Sequence, residues 1–197
     1  IYRYKISCHY MVLDVFSDKF KANNMLLKSI QKLKKIDYLF TPIGYVDEND
    51  YDLNLIDYNL KKIVSINYLS VIQIISEYSK YFESTGKGNI VSFSSVAAGS
   101  PRRKNTVYSS SKLALEGYCK GLAHYFFKSN IKIQVYRLGY IDTSMSFGHE
   151  LFLPPAKPEK LAKHIIQNLN KNKLINYYPK YWSIIIFILK MLPRFIY

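Results

Sequence analysis

Tyr108 and Lys112 lie four residues apart in a stretch with a helical pattern, and Ser95 precedes the tyrosine by thirteen residues. A tyrosine side chain with an ordinary pKa of ~10 is a poor proton donor or acceptor at neutral pH. On a helix, a lysine four residues later lies one turn away on the same face. Its ammonium would favour the phenolate and lower the tyrosine pKa. A serine hydroxyl beside them would bind a substrate carbonyl or alcohol, so these residues predict proton transfer that accompanies a hydride transfer.

The spacing of the tyrosine and lysine is weak evidence by itself, because the chain contains 19 tyrosines and is rich in lysine. Tyr58 and Lys62 repeat the spacing, but the residue thirteen positions before Tyr58 is Tyr45 and not a serine. That second pair lies in an Asn/Lys-rich helical stretch, and we interpret it as a solvated helix face.

The elements around Tyr108 predict how the catalytic side chains are positioned. The apolar run at 89–93 indicates a short buried strand that ends in hydroxyls at Ser95, and residues 96–107 have the composition of a loop. Tyr108 then begins a helical pattern over 108–129. Open α/β sheets bind their ligands at the carboxyl ends of the strands, so Ser95 and Tyr108 are expected near the same strand end.

The same alternation of strand and helix patterns extends along the chain. Further apolar runs predict strands at 8–15, 36–40 and 131–138, and helical patterns cover 18–34 and 54–83. This order favours an α/β fold with a parallel sheet and helices on both faces. The length and the 49% hydrophobic content suit one globular domain.

These motifs together resemble the short-chain dehydrogenase/reductase family of NAD(P)-dependent oxidoreductases, over nearly the whole chain. The serine lies in "VSFSSVAAG", the tyrosine and lysine lie in "YSSSK", and "INYLS" resembles the helix that bears the family's asparagine. The resemblance implies a Rossmann-like doubly wound sheet and a catalytic set of Asn67, Ser95, Tyr108 and Lys112. It also implies that Asn67 holds a water that relays protons to Lys112.

The resemblance also implies residues that contact NAD(P)H. The segment "VLDV" resembles the third strand of the family, which faces adenine, and "YRLGYIDTSM" resembles the segment that passes the nicotinamide. Tyr108 and Lys112 would contact the cofactor as well as act in catalysis. The other implied cofactor-binding residues are Asp14, Val15, Gly44, Gly139, Ile141 and Thr143.

Three departures from the family pattern stand out. The family's Asn-Asn-Ala-Gly is replaced by residues 41–44, Thr-Pro-Ile-Gly, and the proline before Gly139 is replaced by Leu138. The eight glycines form no phosphate-binding motif ahead of "VLDV". By resemblance, about fifty residues that form the first βαβ portion are missing. The chain as given is then expected to bind cofactor poorly, and residues 1–176 form a partial Rossmann-type domain.

Composition excludes several other classes of protein. Two cysteines and four scattered histidines indicate neither a disulfide framework nor a metal site. The net charge is +14, which fits either solvated lysine-rich faces or attraction to a polyanion or membrane surface. Nucleic acid is the weaker interpretation, because the tyrosines are dispersed rather than interleaved with a basic patch. We therefore predict no metal and no nucleic-acid partner.

Two basic segments lie at opposite ends of the predicted site. Arg102 and Arg103, followed by Lys104, lie in the loop between the catalytic serine and tyrosine, where they fit either a solvated loop or a phosphate-binding site. Residues 177–197 form an aromatic, apolar and basic C-terminal segment of the same domain. Its apolar core, residues 184–192, is too short to span a bilayer. The segment fits packing on the domain, a subunit contact or a membrane interface.

These two segments resemble the decaprenylphospho-erythro-pentofuranosid-2-ulose 2-reductase branch of the family. The implied function is an NAD(P)H-dependent carbonyl reductase or alcohol dehydrogenase that reduces a keto-sugar on a polyprenyl phosphate. The implied setting is a cytoplasmic homo-oligomer, in peripheral contact with the inner face of the membrane. The alternatives are a reductase of another ketone or acyl substrate, and an inactive truncated product.

Overall fold

A computed structural model describes residues 6–47, 50, 57–146 and 151–193. Four strands form one parallel sheet in the order β1-β2-β3-β4: Tyr38–Thr41, Lys87–Ser95, Asn130–Leu138 and Ile175–Tyr178. The helices, named α1 to α7 in chain order, are Ala22–Leu33, Asp57–Val64, Ser70–Thr85, Val96–Gly99, Thr106–Tyr125, Pro158–Asn168 and Trp182–Met191. A π-helical turn at Ser65–Leu69 joins α2 to α3, and a 3₁₀ turn at Arg103–Asn105 precedes α5.

The sheet is covered on both faces, which explains why its central strands are nearly continuous apolar runs. Alternate residues of a strand point to opposite faces. Ile90 of β2 and Ile133 of β3 pack with buried residues of α1, α3 and α5. Val91 and Tyr136 face the other way and pack with α6. The α/β fold that the alternation predicts, with a parallel sheet and helices on both faces, is confirmed.

The predicted strands at 36–40, 89–93 and 131–138 form within a few residues of the expected bounds. The strand predicted at 8–15 is wrong. Residues 6–14 have no regular structure, and Val12 is 92% exposed. A strand requires a hydrogen-bonded neighbour, and in the described residues β1 pairs with β2 and forms the edge of the sheet on its other side.

Several helical predictions differ in detail. The helix predicted at 18–34 covers Ala22–Leu33. The helix predicted at 108–129 is α5, which begins two residues earlier and ends four residues earlier. The helix predicted at 54–83 is described from Asp57 and is interrupted by the π turn; residues 54–56 lie outside the described residues. The proposed domain boundary at residue 177 falls within β4. The first residues of the C-terminal segment therefore belong to the sheet.

Candidate active site

The helix that carries Tyr108 is fixed at its first turn by a residue from another part of the chain. The Asp50 carboxylate accepts hydrogen bonds from the backbone N–H groups of Val107 (2.7 Å) and Tyr108 (2.8 Å). The first N–H groups of a helix have no partner within the helix, and the N-cap residue Asn105 makes no side-chain cap. Asp50, which is 3% exposed, takes over that role.

Ser95 and Tyr108 are brought into contact, as the sequence predicts. Ser95 ends β2 and caps the short helix α4, and its Oγ accepts a hydrogen bond from Ala97 N–H at 3.1 Å. Its hydroxyl also hydrogen-bonds the phenol of Tyr108. Burial raises the pKa of Tyr108, and the hydrogen bond with Ser95 lowers it by a smaller amount. The phenol therefore carries its proton at neutral pH.

Lys112 lies one turn after Tyr108 and is buried, with 3% of its surface exposed. Its Nζ donates hydrogen bonds to the carbonyl oxygens of Ile43 (2.9 Å) and Phe93 (3.2 Å), and it lies 6.0 Å from the centre of the Tyr108 ring. Desolvation lowers the pKa of Lys112 to about 8. The expected net lowering of the Tyr108 pKa is not found, because burial outweighs the interactions that favour the phenolate. The Lys112 ammonium is held beside the tyrosine by the two backbone carbonyls.

Asn67 lies in the π turn and is fully buried. Its amide donates to Tyr45 O and accepts from Tyr45 N–H, both at 2.7 Å. A methyl group added to Gly44 would lie 3.5 Å from Lys112 Nζ and 3.7 Å from Asn67 Oδ1. The Asn67 side chain therefore holds the segment after β1 beside Lys112. The proton-relay water assigned to Asn67 stays a prediction.

A cleft of about 1160 Å³ opens at the carboxyl ends of the strands and contains Tyr108. Its lining also includes these predicted residues: Gly44, Ser95, Arg102, Lys112, Gly139, Ile141 and Thr143. Asp14, Val15 and Arg103 are not in the lining, whereas Lys104 is. Asp14 and Val15 lie in the irregular segment before α1, so the structure does not bring them to the catalytic residues.

Sequence reasoning missed a buried ion pair between Glu116 and Arg137. Arg137 binds Glu116 through two hydrogen bonds, from Nε to Oε1 at 2.8 Å and from Nη2 to Oε2. The Ser94 hydroxyl donates to the same Glu116 Oε1 at 2.7 Å, and Arg137 also donates to the Tyr177 hydroxyl. Glu116 follows Lys112 by one turn, which places a carboxylate on the catalytic face of α5, and this spacing is the signal that could have revealed it.

In the described part of the chain, no group of histidine, cysteine or carboxylate side chains could hold a metal ion. Cys119 is buried, and burial raises the pKa of its thiol to about 12.

Residues 3–150 match the family model described as short chain dehydrogenase. The chain belongs to the short-chain dehydrogenase family. An uncharacterized oxidoreductase of Mycobacterium tuberculosis is 29% identical over 136 residues, which cover 68% of this chain and 54% of the relative. Hydroxysteroid 11-beta-dehydrogenase 1-like protein A of Xenopus laevis is 29% identical over 189 residues, covering 93% of this chain and 64% of the relative. The matched region thus covers between about half and about two thirds of the length of these curated relatives.

Solved structures of other proteins share the fold. An ElxO variant with NADPH bound superposes with a TM-score of 0.75 at 20% identity, covering 87% of this chain and 76% of that protein. A short chain dehydrogenase from Burkholderia cenocepacia in complex with NADP gives a TM-score of 0.76 at 16% identity, covering 91% and 72%. At these identities the likeness concerns the fold.

Proposed function

We propose that the protein is an NAD(P)H-dependent carbonyl reductase or alcohol dehydrogenase. The observation that carries the proposal is that Ser95, Tyr108 and the buried Lys112 line one cleft, with Lys112 one helical turn after Tyr108. The cleft is large enough for a cofactor ring and a substrate. A hydroxyl, a phenol and an ammonium at one strand end are the groups needed to exchange a proton with an alcohol or ketone.

The residues on the nicotinamide side of the cleft fit the cofactor. Lys112, Gly139 and Thr143 all line the same cleft. The residues expected at the adenine end, Asp14 and Val15, do not line it, and the 197 residues contain no glycine-rich phosphate motif. When bound, the nicotinamide supplies or accepts the hydride.

Three side chains would then orient the substrate, transfer the proton and stabilise the charge that forms. In reduction, the Ser95 hydroxyl donates to the substrate carbonyl oxygen and orients it. The phenol of Tyr108, protonated at neutral pH because burial raises its pKa, gives its proton to that oxygen as the carbon–oxygen double bond becomes a single bond. Lys112, still mostly charged at pH 7 with a pKa of about 8, stabilises the negative charge left on the tyrosine. Oxidation of an alcohol reverses each step.

The test is Tyr108→Phe in the full-length protein, assayed by NAD(P)H oxidation against a panel of ketones. Loss of a general acid is expected to lower turnover by about 10²–10⁴-fold. Cofactor binding, followed by quenching of the single tryptophan, Trp182, in the cleft wall, should stay close to wild type. Tyr58→Phe, in the second Tyr/Lys pair on α2, is the matched control and should leave turnover unchanged. Near-normal turnover of Tyr108→Phe would overturn the mechanism.

We further propose that the substrate is a keto-sugar carried on a polyprenyl phosphate at the cytoplasmic face of the membrane. Arg102 and Lys104 line the cleft on the loop that leads to Tyr108, and both are exposed. They are suited to a phosphate or pyrophosphate. Apolar residues that would suit the lipid also line the cleft: Phe40, Val46, Phe93, Leu138, Leu151 and Ile166.

Replacing both cations separates this substrate from the alternatives. The double variant R102A/K104A is expected to raise KM for a polyprenyl-phosphate keto-sugar by about ten-fold or more, because each charge-assisted hydrogen bond is worth roughly 1.5–3 kcal/mol. KM for a small neutral ketone should change little. An equal effect on both substrates, or none on the phosphorylated one, would favour a reductase of another ketone or acyl substrate.

The protein is also expected to be a homo-oligomer. Leu113 on α5 is 48% exposed, and Tyr125 and Phe127, at and beyond its end, are 69% and 78% exposed. Large exposed apolar side chains on one helix are suited to a subunit contact. Light scattering should give at least twice the monomer mass, and a monomer at micromolar concentration would contradict this expectation.

A further inference from the structure

Helix α7 has two different faces, and the inner one forms part of the cleft wall. Trp182 and Ile186 are 4% and 3% exposed, and both line the cleft. Two glycines let the helix approach closely. A methyl group added to Gly139 would overlap the indole of Trp182, and one added to Gly99 would come within 2.8 Å of Ile186 Cγ2. Helix α7 is therefore seated directly on the segments that form the active site.

The outer face of α7 is an uncovered apolar stripe. It consists of four residues at the spacing that places side chains in one row along a helix. Their exposed fractions are Ile184 63%, Phe187 64%, Ile188 53% and Met191 72%. Isolated exposed apolar residues are normal, but a contiguous row on one helix face indicates a contact surface.

The lysine and arginine residues that flank this stripe along the chain are not matched by acidic ones. The last acidic residue of the sequence is Glu159, so the segment that contains α7 has no carboxylate side chain. Lys180 precedes the helix, Lys190 lies in its last turn, and the exposed Tyr181 lies at its start. The basic residues after Glu159 are Lys160, Lys163, Lys171, Lys173, Lys180, Lys190 and Arg194.

We propose that the outer face of α7 docks on an anionic lipid surface, with Ile184, Phe187, Ile188 and Met191 in the interfacial layer and the neighbouring lysines among the lipid headgroups. An apolar stripe bordered by Lys and Tyr is the pattern of a helix that lies in the plane of a membrane interface. Helix α7 has ten residues, and no helix in the described residues is long and apolar enough to cross a bilayer. The helix would therefore lie on the membrane.

Charge favours a lipid surface over a second copy of the chain. A two-fold contact sets the same patch of each subunit against the other. Such a contact through α7 would bring the lysines around one stripe against the lysines of its partner, in a protein with a net charge of +14. An anionic membrane neutralises the same charges.

The position of α7 gives the docking a functional consequence. The helix that would touch the lipid on one side forms the cleft wall on the other, so a lipid-borne substrate would meet the cleft at the membrane surface. This role rests on the polyprenyl-phosphate substrate proposed above. The docking itself requires no turnover and can be measured without any substrate.

The experiment is cosedimentation of the full-length protein with phosphatidylcholine vesicles that do or do not contain phosphatidylglycerol. Binding is expected for the anionic vesicles, and it should weaken as salt is raised because exposed charges are screened. The variant I184S/F187S should bind them at least about ten-fold more weakly, since two apolar side chains leave the interface. The matched control is L27S/L33S, which removes two exposed apolar residues from α1 (57% and 51% exposed) and should bind like wild type.

Circular dichroism and Trp182 fluorescence serve to check that I184S/F187S is folded, and its activity on a water-soluble ketone should be unchanged. The proposal is overturned if anionic vesicles do not bind, if neutral vesicles bind equally well, or if the control loses as much affinity. It is also overturned if light scattering shows that I184S/F187S dissociates an oligomer while vesicle binding is absent. In each of these cases reduction of a soluble ketone can persist, so the reductase proposal is judged separately.

Discussion

The carboxylate of Asp50 accepts a hydrogen bond from the backbone N–H of Tyr108 at 2.8 Å, across 58 positions of sequence. A residue between β1 and α2 thus holds the first turn of the helix that carries Tyr108. A carboxylate at this position satisfies two N–H groups and opposes the positive end of the helix dipole.

Removing this cap should destabilise the protein. Loss of a helix cap costs about 0.5–2 kcal/mol, and Asp50→Ala is expected near the upper end because Asp50 accepts two hydrogen bonds and is buried. Asp57→Ala is the control, since Asp57 forms an exposed pair with Lys61, worth about 0.3–0.5 kcal/mol. Urea unfolding of both variants measures the difference. Equal losses would show that the cap contributes no more than a surface charge.

A second consequence concerns turnover. Because Asp50 fixes the backbone of Tyr108, Asp50→Ala should lower kcat more than it changes KM for a small ketone, and Asp50→Glu should recover part of the loss. A variant that unfolds more readily but turns over at the wild-type rate under folding conditions would assign Asp50 to stability only.

Part of this arrangement can be predicted from sequence, because it follows from local patterns. The continuous apolar run before Ser95 indicates a strand buried on both faces, and the helical pattern from Tyr108 brings its phenol to the same strand end, where the hydrogen bond with Ser95 is found. The position of Lys112 on the same helix face as Tyr108 follows from their spacing of four residues. Long-range polar contacts leave no such pattern, so neither the cap by Asp50 nor the binding of Asn67 to Tyr45 can be predicted in this way.

The strand predicted at 8–15 shows the opposite failure. Val12 and Val15 have strong strand propensity, but propensity is decided by pairing and packing, and in the described residues the free edge of β1 gains no partner. Arg103 is predicted to bind substrate because it follows Arg102 in the sequence, but it does not line the cleft. The 3₁₀ turn at Arg103–Asn105 instead brings Lys104 into the cleft lining.

Lys112 should make the stability of the protein depend on pH in a specific direction. Its pKa falls from an ordinary 10.5 to about 8 in the folded protein, so the unfolded chain binds the extra proton between these values. The free energy of unfolding therefore rises as the pH increases from about 8 to 10.5. Below about pH 8 the lysine is charged in both states, and the folded protein is destabilised by the full cost of burying that charge. A shift of this size corresponds to roughly 3 kcal/mol.

Lys112→Met removes that titration and supplies the measurement. We compare the free energies of unfolding of wild type and Lys112→Met at each pH, so that the titration of other groups cancels. Between about pH 7 and pH 10.5, wild type should gain roughly 3 kcal/mol of stability relative to the variant. Lys120→Met, on the exposed side of the same helix, should give a flat difference. A flat difference for Lys112→Met would mean that its pKa is not lowered.

Removing one partner of the Glu116–Arg137 ion pair should destabilise the protein strongly, whereas replacing both partners with apolar residues should change its stability little. The side chains of both partners are largely buried, at 6% and 13% exposure. Removing one partner leaves an uncompensated buried charge and is expected to cost about 3–5 kcal/mol, whereas apolar replacement of both is often close to neutral. We therefore expect Glu116→Gln to be much less stable than E116L/R137M. Chemical denaturation of the two variants and of Arg137→Met checks this order.

The same series tests whether the pair positions the catalytic groups. Glu116 accepts a hydrogen bond from Ser94, the neighbour of Ser95, and lies one helical turn after Lys112. If the ion pair holds these residues in register, E116L/R137M should remain folded yet turn over more slowly, with little change in KM. Wild-type turnover in that folded variant would limit the pair to stability.

The contact between Gly139 and α7 gives the last prediction. A methyl group on Gly139 would overlap the indole of Trp182, so Gly139→Ala must displace either the indole or the strand end beneath it. Overpacking of this kind costs about 1–3 kcal/mol. Because Trp182 is the single tryptophan of the chain, a shift of its fluorescence maximum reports the displacement directly.

Gly117→Ala on α5 is the matched control for Gly139→Ala. An added methyl group at Gly117 meets nothing within 4 Å, and alanine in a helix is favoured over glycine by about 0.5–1 kcal/mol. The control should therefore be neutral or slightly more stable, with unchanged fluorescence. If Gly139→Ala matched the control in both measurements, α7 would not be seated on Gly139, and the close contact between this helix and the active-site segment would have to be abandoned.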